Sequence, residues 1–60
     1  MSNKIYSMEN KNSVLELFKV GNKYKVVFKN KIHGEFCMWF SNYTKAEDFY
    51  NRMMEGFFQT

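Results

Sequence analysis

Sixty residues with 45% apolar and 20% aromatic side chains bound a single small domain, one that buries only roughly 60% of the surface its unfolded chain exposes. One Cys and one His, Cys37 and His33, exclude an internal disulfide and a closed zinc site of three or four soft ligands, so no metal or other cofactor is expected. The net charge of +3 allows an acidic protein or a nucleic acid as partner without requiring either, and with no run of about 18 apolar residues and no apolar leader the chain is expected to be cytoplasmic, without a membrane partner.

Residues 1–12 contain Ile5, Tyr6 and Met8 among Ser, Asn, Lys and Glu, with no sustained period of 2 or 3.6. This segment reads as a flexible or partner-ordered arm preceding a domain over residues 13–60. Val14 to Val20 and Lys23 to Lys29 are rich in β-branched and aromatic residues and are separated by Gly21-Asn22, a hairpin signal in which Gly supplies the positive φ of a type II′ turn. A two-residue loop sets Leu17 opposite Val26, Leu15 opposite Phe28 and Lys19 opposite Tyr24 on an apolar face. The other face then pairs Phe18 with Lys25, Glu16 with Val27 and Val14 with Lys29. A slip of one residue would scramble this segregation.

Asn30 to Gly34 reads as a second turn and Glu35 to Phe40 as a third strand, with Phe36, Met38 and Phe40 joining the core face and Cys37 and Trp39 on the mixed one. Thr44-Lys45-Ala46-Glu47 has the form of a capping box, with Ser41 or Asn42 as alternative caps. Beyond it Ala46, Phe49, Tyr50, Met53 and Phe57 recur at helical spacing, and Gly56 falls where a helix C-cap is expected. The expected fold is α+β: a three-stranded antiparallel meander with one C-terminal helix packed on one face.

Catalytic chemistry has little to draw on. His33 sits in a Lys-Ile-His-Gly turn with no neighbouring carboxylate to orient it, and Cys37, between Phe36 and Met38, reads as a small buried or half-buried hydrophobe. No Gly-rich phosphate loop is present, and Glu47 and Asp48 are consecutive in the helix and do not face each other. The chain is read as a non-enzyme.

The informative surface is the mixed sheet face, which one helix leaves uncovered. It carries Val14, Phe18, Val20, Val27, Cys37 and Trp39, an apolar patch that something should cover. Three coverings are open: a second copy of the chain, a different macromolecule anchored on Trp39 and Phe18, or the N-terminal arm through Ile5 and Tyr6. Lys23, Lys25 and Lys29 on the same face would complement an acidic partner or a nucleic acid, although lysines on exposed strands also serve simply to prevent aggregation.

Phe40 stands six residues before Ala46 with cap-type residues between them, Phe49 follows in the helix, and a Tyr24-Lys25-Val26-Val27-Phe28 strand precedes. Over roughly residues 15–54 this pattern resembles the small strand-strand-strand-helix DNA-binding domains of AP2 type and of integrase N-terminal arm-binding domains. The resemblance implies that the open sheet face enters the major groove, with Phe18, Lys23, Lys25, Lys29 and Trp39 at the contacting positions. Those families place several Arg on the reading face, whereas the one Arg here, Arg52, lies on the helix.

Taken together, these features lead to a small interaction protein, a homodimer that binds another protein through the sheet, with a DNA-binding domain using the same face as the alternative. Eight Lys, seven Asn and many Phe and Tyr favour A/T-rich codons, which fits an accessory protein of a phage or mobile element that inhibits a host defence or replication protein by steric binding.

Overall fold

The computed structural model describes residues 2–58. Alternating apolar and polar residues on either side of Gly21-Asn22 produce the hairpin of β2 (Ser13–Val20) and β3 (Lys23–Asn30), in the register Leu15 to Phe28, Leu17 to Val26 and Phe18 to Lys25. Gly21 has φ of +61°, and among the described residues none other than glycine takes a positive φ, as a type II′ turn with Gly first requires. A three-residue loop then leads to β4 (Gly34–Phe40), which pairs antiparallel with β3 and sets Val26 against Met38 and Lys25 against Trp39. This connection is shorter than the five residues Asn30 to Gly34, because Asn30 and Gly34 already form a pair of the ladder, with Gly34 at φ +88°.

The expected three-stranded meander is in fact a four-stranded sheet. Residues Ser2–Glu9 form β1, which pairs antiparallel with β2 and gives the order β1-β2-β3-β4. The segment read as a flexible arm is thus an edge strand, and it does not fold across the open face. Ile5 has no partner in the register, which shifts between Lys4 and Tyr6. This bulge moves Tyr6 and Met8 to the side of Leu17 and Leu15 while Lys4 stays beside Phe18 on the other side.

The fifth element is α1 (Tyr43–Phe57). Its N-cap is Asn42, in extended conformation, whose Oδ1 accepts from the Lys45 N–H at 2.9 Å. The Thr44 capping box does not form, because the helix starts one residue before Thr44 and the Glu47 carboxylate accepts from the Tyr43 hydroxyl at 2.8 Å. At the other end α1 runs through Gly56 to Phe57, and Phe58 caps it with an N–H to Met54 carbonyl bond of 2.8 Å and an ordinary negative φ. The Phe57 ring lies 4.7 Å from that of Phe28, which ties the helix end to the sheet and replaces the expected Gly56 cap.

Leu15, Leu17, Val26 and Phe28 from β2 and β3 are buried against Ala46 and Tyr50 of α1. Tyr24, Phe40, Tyr43, Phe49, Met53, Met54 and Phe58 pack around them. A helix with its side chains is about 10–12 Å wide, whereas four strands at about 4.8 Å spacing place the outer two roughly 14 Å apart. One helix therefore cannot cover this sheet. It sits over β2 and β3, reaches β1 through Tyr50, whose ring lies 5.6 Å from that of Tyr6, and reaches β4 through Phe49, whose ring lies 5.4 Å from that of Phe40. On β4, Phe36 and Met38 were expected in the core and are instead 45% and 43% exposed.

The Tyr6 hydroxyl lies 3.1 Å from that of Tyr43. Hydrogen bonding to Tyr6 and then to Glu47 holds the Tyr43 phenol far above its ordinary range, and burial, with a lesser contribution from Tyr6, raises Tyr50. In the unfolded chain these phenols ionise near pH 10.0, while the folded chain keeps their protons to higher pH. Above that pH the folded state binds more protons than the unfolded state, so stability should hold below pH 10 and fall progressively above it. Melting temperatures across the alkaline range should show this fall, and Tyr43→Phe should reduce its steepness. A fall of equal steepness in Tyr43→Phe would mean that Tyr43 is not responsible.

Candidate binding surface

The face of the sheet opposite α1 is built from strand residues that alternate with the core positions, and the registers order it into rows. One row runs Lys4, Phe18, Lys25, Trp39 across all four strands. The next runs Ser7, Glu16, Val27, Cys37, and a third runs Glu9, Val14, Lys29, Glu35. Val20 and Lys23 face each other beside the Gly21 turn. The six apolar positions expected on the mixed face, Val14, Phe18, Val20, Val27, Cys37 and Trp39, thus share one surface with Lys23, Lys25 and Lys29.

The first row alternates cation and ring. The Lys25 Nζ lies 5.3 Å from the centroid of Phe18 and 5.4 Å from that of Trp39, and the Lys4 Nζ lies 5.9 Å from Phe18. With these two ammonium groups over its ring, Phe18 is half-buried without help from a helix. Val14, Val20 and Val27 are half-buried in the same way by their neighbours. Trp39 remains 51% exposed, and Cys37, read as a buried or half-buried hydrophobe, is exposed because it sits on the outermost strand.

Charge on this face is sorted along the strands. Lys4, Lys23 and Lys25 lie toward the Gly21 turn, whereas Glu9, Glu16 and Glu35 lie in the two rows farther away, with Lys29 opposite Glu35. The Glu16 Oε2 is 2.9 Å from the Lys4 Nζ, which neutralises one member of the basic half. Lys4 and Glu9 were missed as contributors because β1 was not read as a strand. The register of Tyr6 and Met8 with the core side was the signal that could have found them. A shallow depression of about 300 Å³, walled by Lys25, Val27, Glu35, Phe36 and Cys37, opens between β3 and the outer edge of β4.

His33 lies exposed in the β3–β4 loop, where its backbone N–H donates to the Asn30 Oδ1 at 2.8 Å and its ring stands 6.2 Å from that of Phe57. Among the described residues no three of His, Cys, Asp and Glu come together as metal ligands would, and no helix is long and apolar enough to cross a membrane. The molecule so defined is a four-stranded antiparallel sheet with one helix on one face and an aromatic, lysine-laced surface on the other. No family model, curated protein or solved structure matches this chain.

Proposed function

We propose that this chain is a non-catalytic binding module that takes another protein on its open sheet face and acts by covering that protein's working surface. The observation that carries this reading is the layout of the face. Phe18, Val14 and Val27 on the two inner strands and Trp39 on β4 supply apolar surface interleaved with charges of both signs, Lys25 between Phe18 and Trp39, Glu16 beside Val27, and Lys23, Lys29, Glu9 and Glu35 farther out. Protein interfaces combine aromatic anchors, Trp foremost, with charged and polar neighbours of this kind. Inhibition of a host protein by a phage or mobile-element accessory protein in the cytoplasm is the form of this function that the codon-biased composition favours.

A second reading, nucleic-acid binding on the same face, is favoured by the row Lys4, Phe18, Lys25, Trp39, since alternating cations and rings can hold phosphates and stack bases. Against it stand Glu9, Glu16 and Glu35 on that face, which a polyanion crossing the sheet would have to meet, and the lack of any Arg there.

One pair of measurements separates the readings. A tagged wild-type chain should retain a protein from nuclease-treated lysate of its native cells, and Phe18→Ala should weaken that retention roughly thirtyfold, equivalent to about 2 kcal/mol. Trp39, the only tryptophan, reports directly on the face, and its fluorescence should not respond to single- or double-stranded oligonucleotides at low salt. Salt-sensitive quenching by oligonucleotides, or retention that disappears with nuclease, would overturn the protein reading in favour of the second.

A further inference from the structure

The two edges of the sheet are protected very differently. β1 carries a bulge at Ile5 together with Lys4, Ser7 and Glu9, devices that discourage a further strand from pairing there. β4 has an unbroken register against β3, no Pro and one charge, Glu35, and is otherwise Gly34, Phe36, Cys37, Met38, Trp39 and Phe40. Among the described residues no strand pairs with its outer edge, and every β4 residue except Phe40 is exposed. Its unpaired backbone groups lie between apolar side chains on both faces, Phe36 and Met38 toward the helix and Trp39 and Cys37 away from it.

We infer that β4 is the edge through which a second copy of this chain joins, antiparallel and about a two-fold axis at Cys37, to make a continuous eight-stranded sheet. This goes beyond the reading of the open face, which the edge pairing leaves free except at Glu35, Cys37 and Trp39 beside the axis. Cys37 is the midpoint of Gly34–Phe40, so this register alone pairs all seven residues with their counterparts. It sets Phe36 against the partner's Met38 on the helix side, a ring-to-thioether contact made twice, and Glu35 against the partner's Trp39 on the open side. Shifting the centre to Phe36 or Met38 leaves two residues of each strand unpaired.

A second copy fits because it brings the same uncovered residues to the two-fold-related position. The helix reaches β4 through Phe49, whose ring lies 6.4 Å from that of Phe36 and 5.4 Å from that of Phe40, and each protomer leaves about half of Phe36 and Met38 uncovered on the helix side and half of Trp39 on the open side. That is roughly 250 Å² of side chain per protomer in addition to the backbone edge, below the size of standard specific interfaces, so the dimer is a weak and reversible one. Both helices then lie on one side of the joined sheet, and the two open faces merge on the other with Trp39 of each copy near the axis.

Sedimentation of the full chain should give a concentration-dependent mass approaching twice 7.3 kDa, and Met38→Lys should return it to the monomer with unchanged circular dichroism. A monomer at the highest attainable concentration would overturn the inference, as would a dimer that Phe18→Ala abolishes and Met38→Lys does not. Cross-linking tests the register even if Met38→Lys fails to fold. The shortest bismaleimide should join wild-type Cys37 to its own copy. In a Cys37→Ser background, Glu35→Cys or Trp39→Cys alone should cross-link poorly, because each lies roughly 14 Å along the strand from its own copy, whereas a mixture of the two should cross-link as readily as the wild type. Equal cross-linking of all three positions to themselves would mean random collision and would sink the two-fold at Cys37.

Discussion

Phe28→Ala should leave little or no folded protein at 25 °C. Phe28 is 1% exposed at the middle of the sheet, opposite Leu15, with the rings of Phe57 and Phe36 at 4.7 and 5.6 Å. Removing a buried Phe ring costs about 3–5 kcal/mol, and the single core of a chain this short rarely supplies more than about 3–5 kcal/mol in total. The loss is compounded because Phe57 anchors the C-terminal end of α1 on this ring, so the last helical turn loses its seat as well. Denaturant unfolding followed by circular dichroism, at concentrations low enough to exclude self-association, should show no cooperative transition for Phe28→Ala. Phe28→Leu, which keeps the site apolar and loses less volume, should retain a transition at lower denaturant. A Phe28→Ala midpoint equal to that of the wild type would contradict the packing described here.

Asn30→Ala should be the most damaging change outside the apolar core. The Asn30 Oδ1 accepts from the backbone N–H groups of Ile32 and His33, both at 2.8 Å, and its Nδ2 donates to the Ser13 Oγ at 2.6 Å. Ser13 is itself 4% exposed, so alanine would strip the β3–β4 loop of its turn-forming acceptor and leave a buried hydroxyl without this partner. The expected loss is about 2–3 kcal/mol, measured as a shift of the denaturant midpoint. Asn30→Asp should cost less than half as much, because a carboxylate still accepts from both N–H groups and from the Ser13 hydroxyl. If the two variants are equally destabilised, the loop N–H bonds are not what Asn30 contributes. Asn10 makes the corresponding turn between β1 and β2, accepting from the N–H groups of Asn12 and Ser13, but its side chain is exposed and less depends on it.

The β2–β3 hairpin was legible because its information is local. Alternation sorts Leu15, Leu17, Val26 and Phe28 onto one face, and Gly21 is the residue at which a two-residue loop can carry positive φ, so both signals select the same register. The open face followed from the same alternation, which is why Val14, Phe18, Val20, Val27, Cys37 and Trp39 emerge together with Lys23, Lys25 and Lys29. β1 was hidden by one residue. The unpaired Ile5 puts Lys4 on the opposite face from Tyr6 and Met8, so the segment shows two half-patterns and no sustained period, which hides the fourth strand with its Lys4 and Glu9.

The start of the helix shows a different boundary. Asn42 and Thr44 are both good caps by residue type, and the choice goes to Asn42 because Tyr43 then joins the helix with its ring 5.6 Å from Tyr24 and its hydroxyl on Glu47. Contacts between distant segments make that selection, so propensity alone leaves it open.

Pattern and turn chemistry along the chain were sufficient for the α+β class, the central register and the composition of each sheet face, since each depends on neighbours within a few residues. The number of strands and the exposure of each edge depended on the whole assembly. One helix cannot span four strands, so it settles over β2 and β3, touches β4 through Phe49 and β1 through Tyr50, and leaves Phe36 and Met38 half-covered, while Trp39 on the opposite face is beyond its reach altogether.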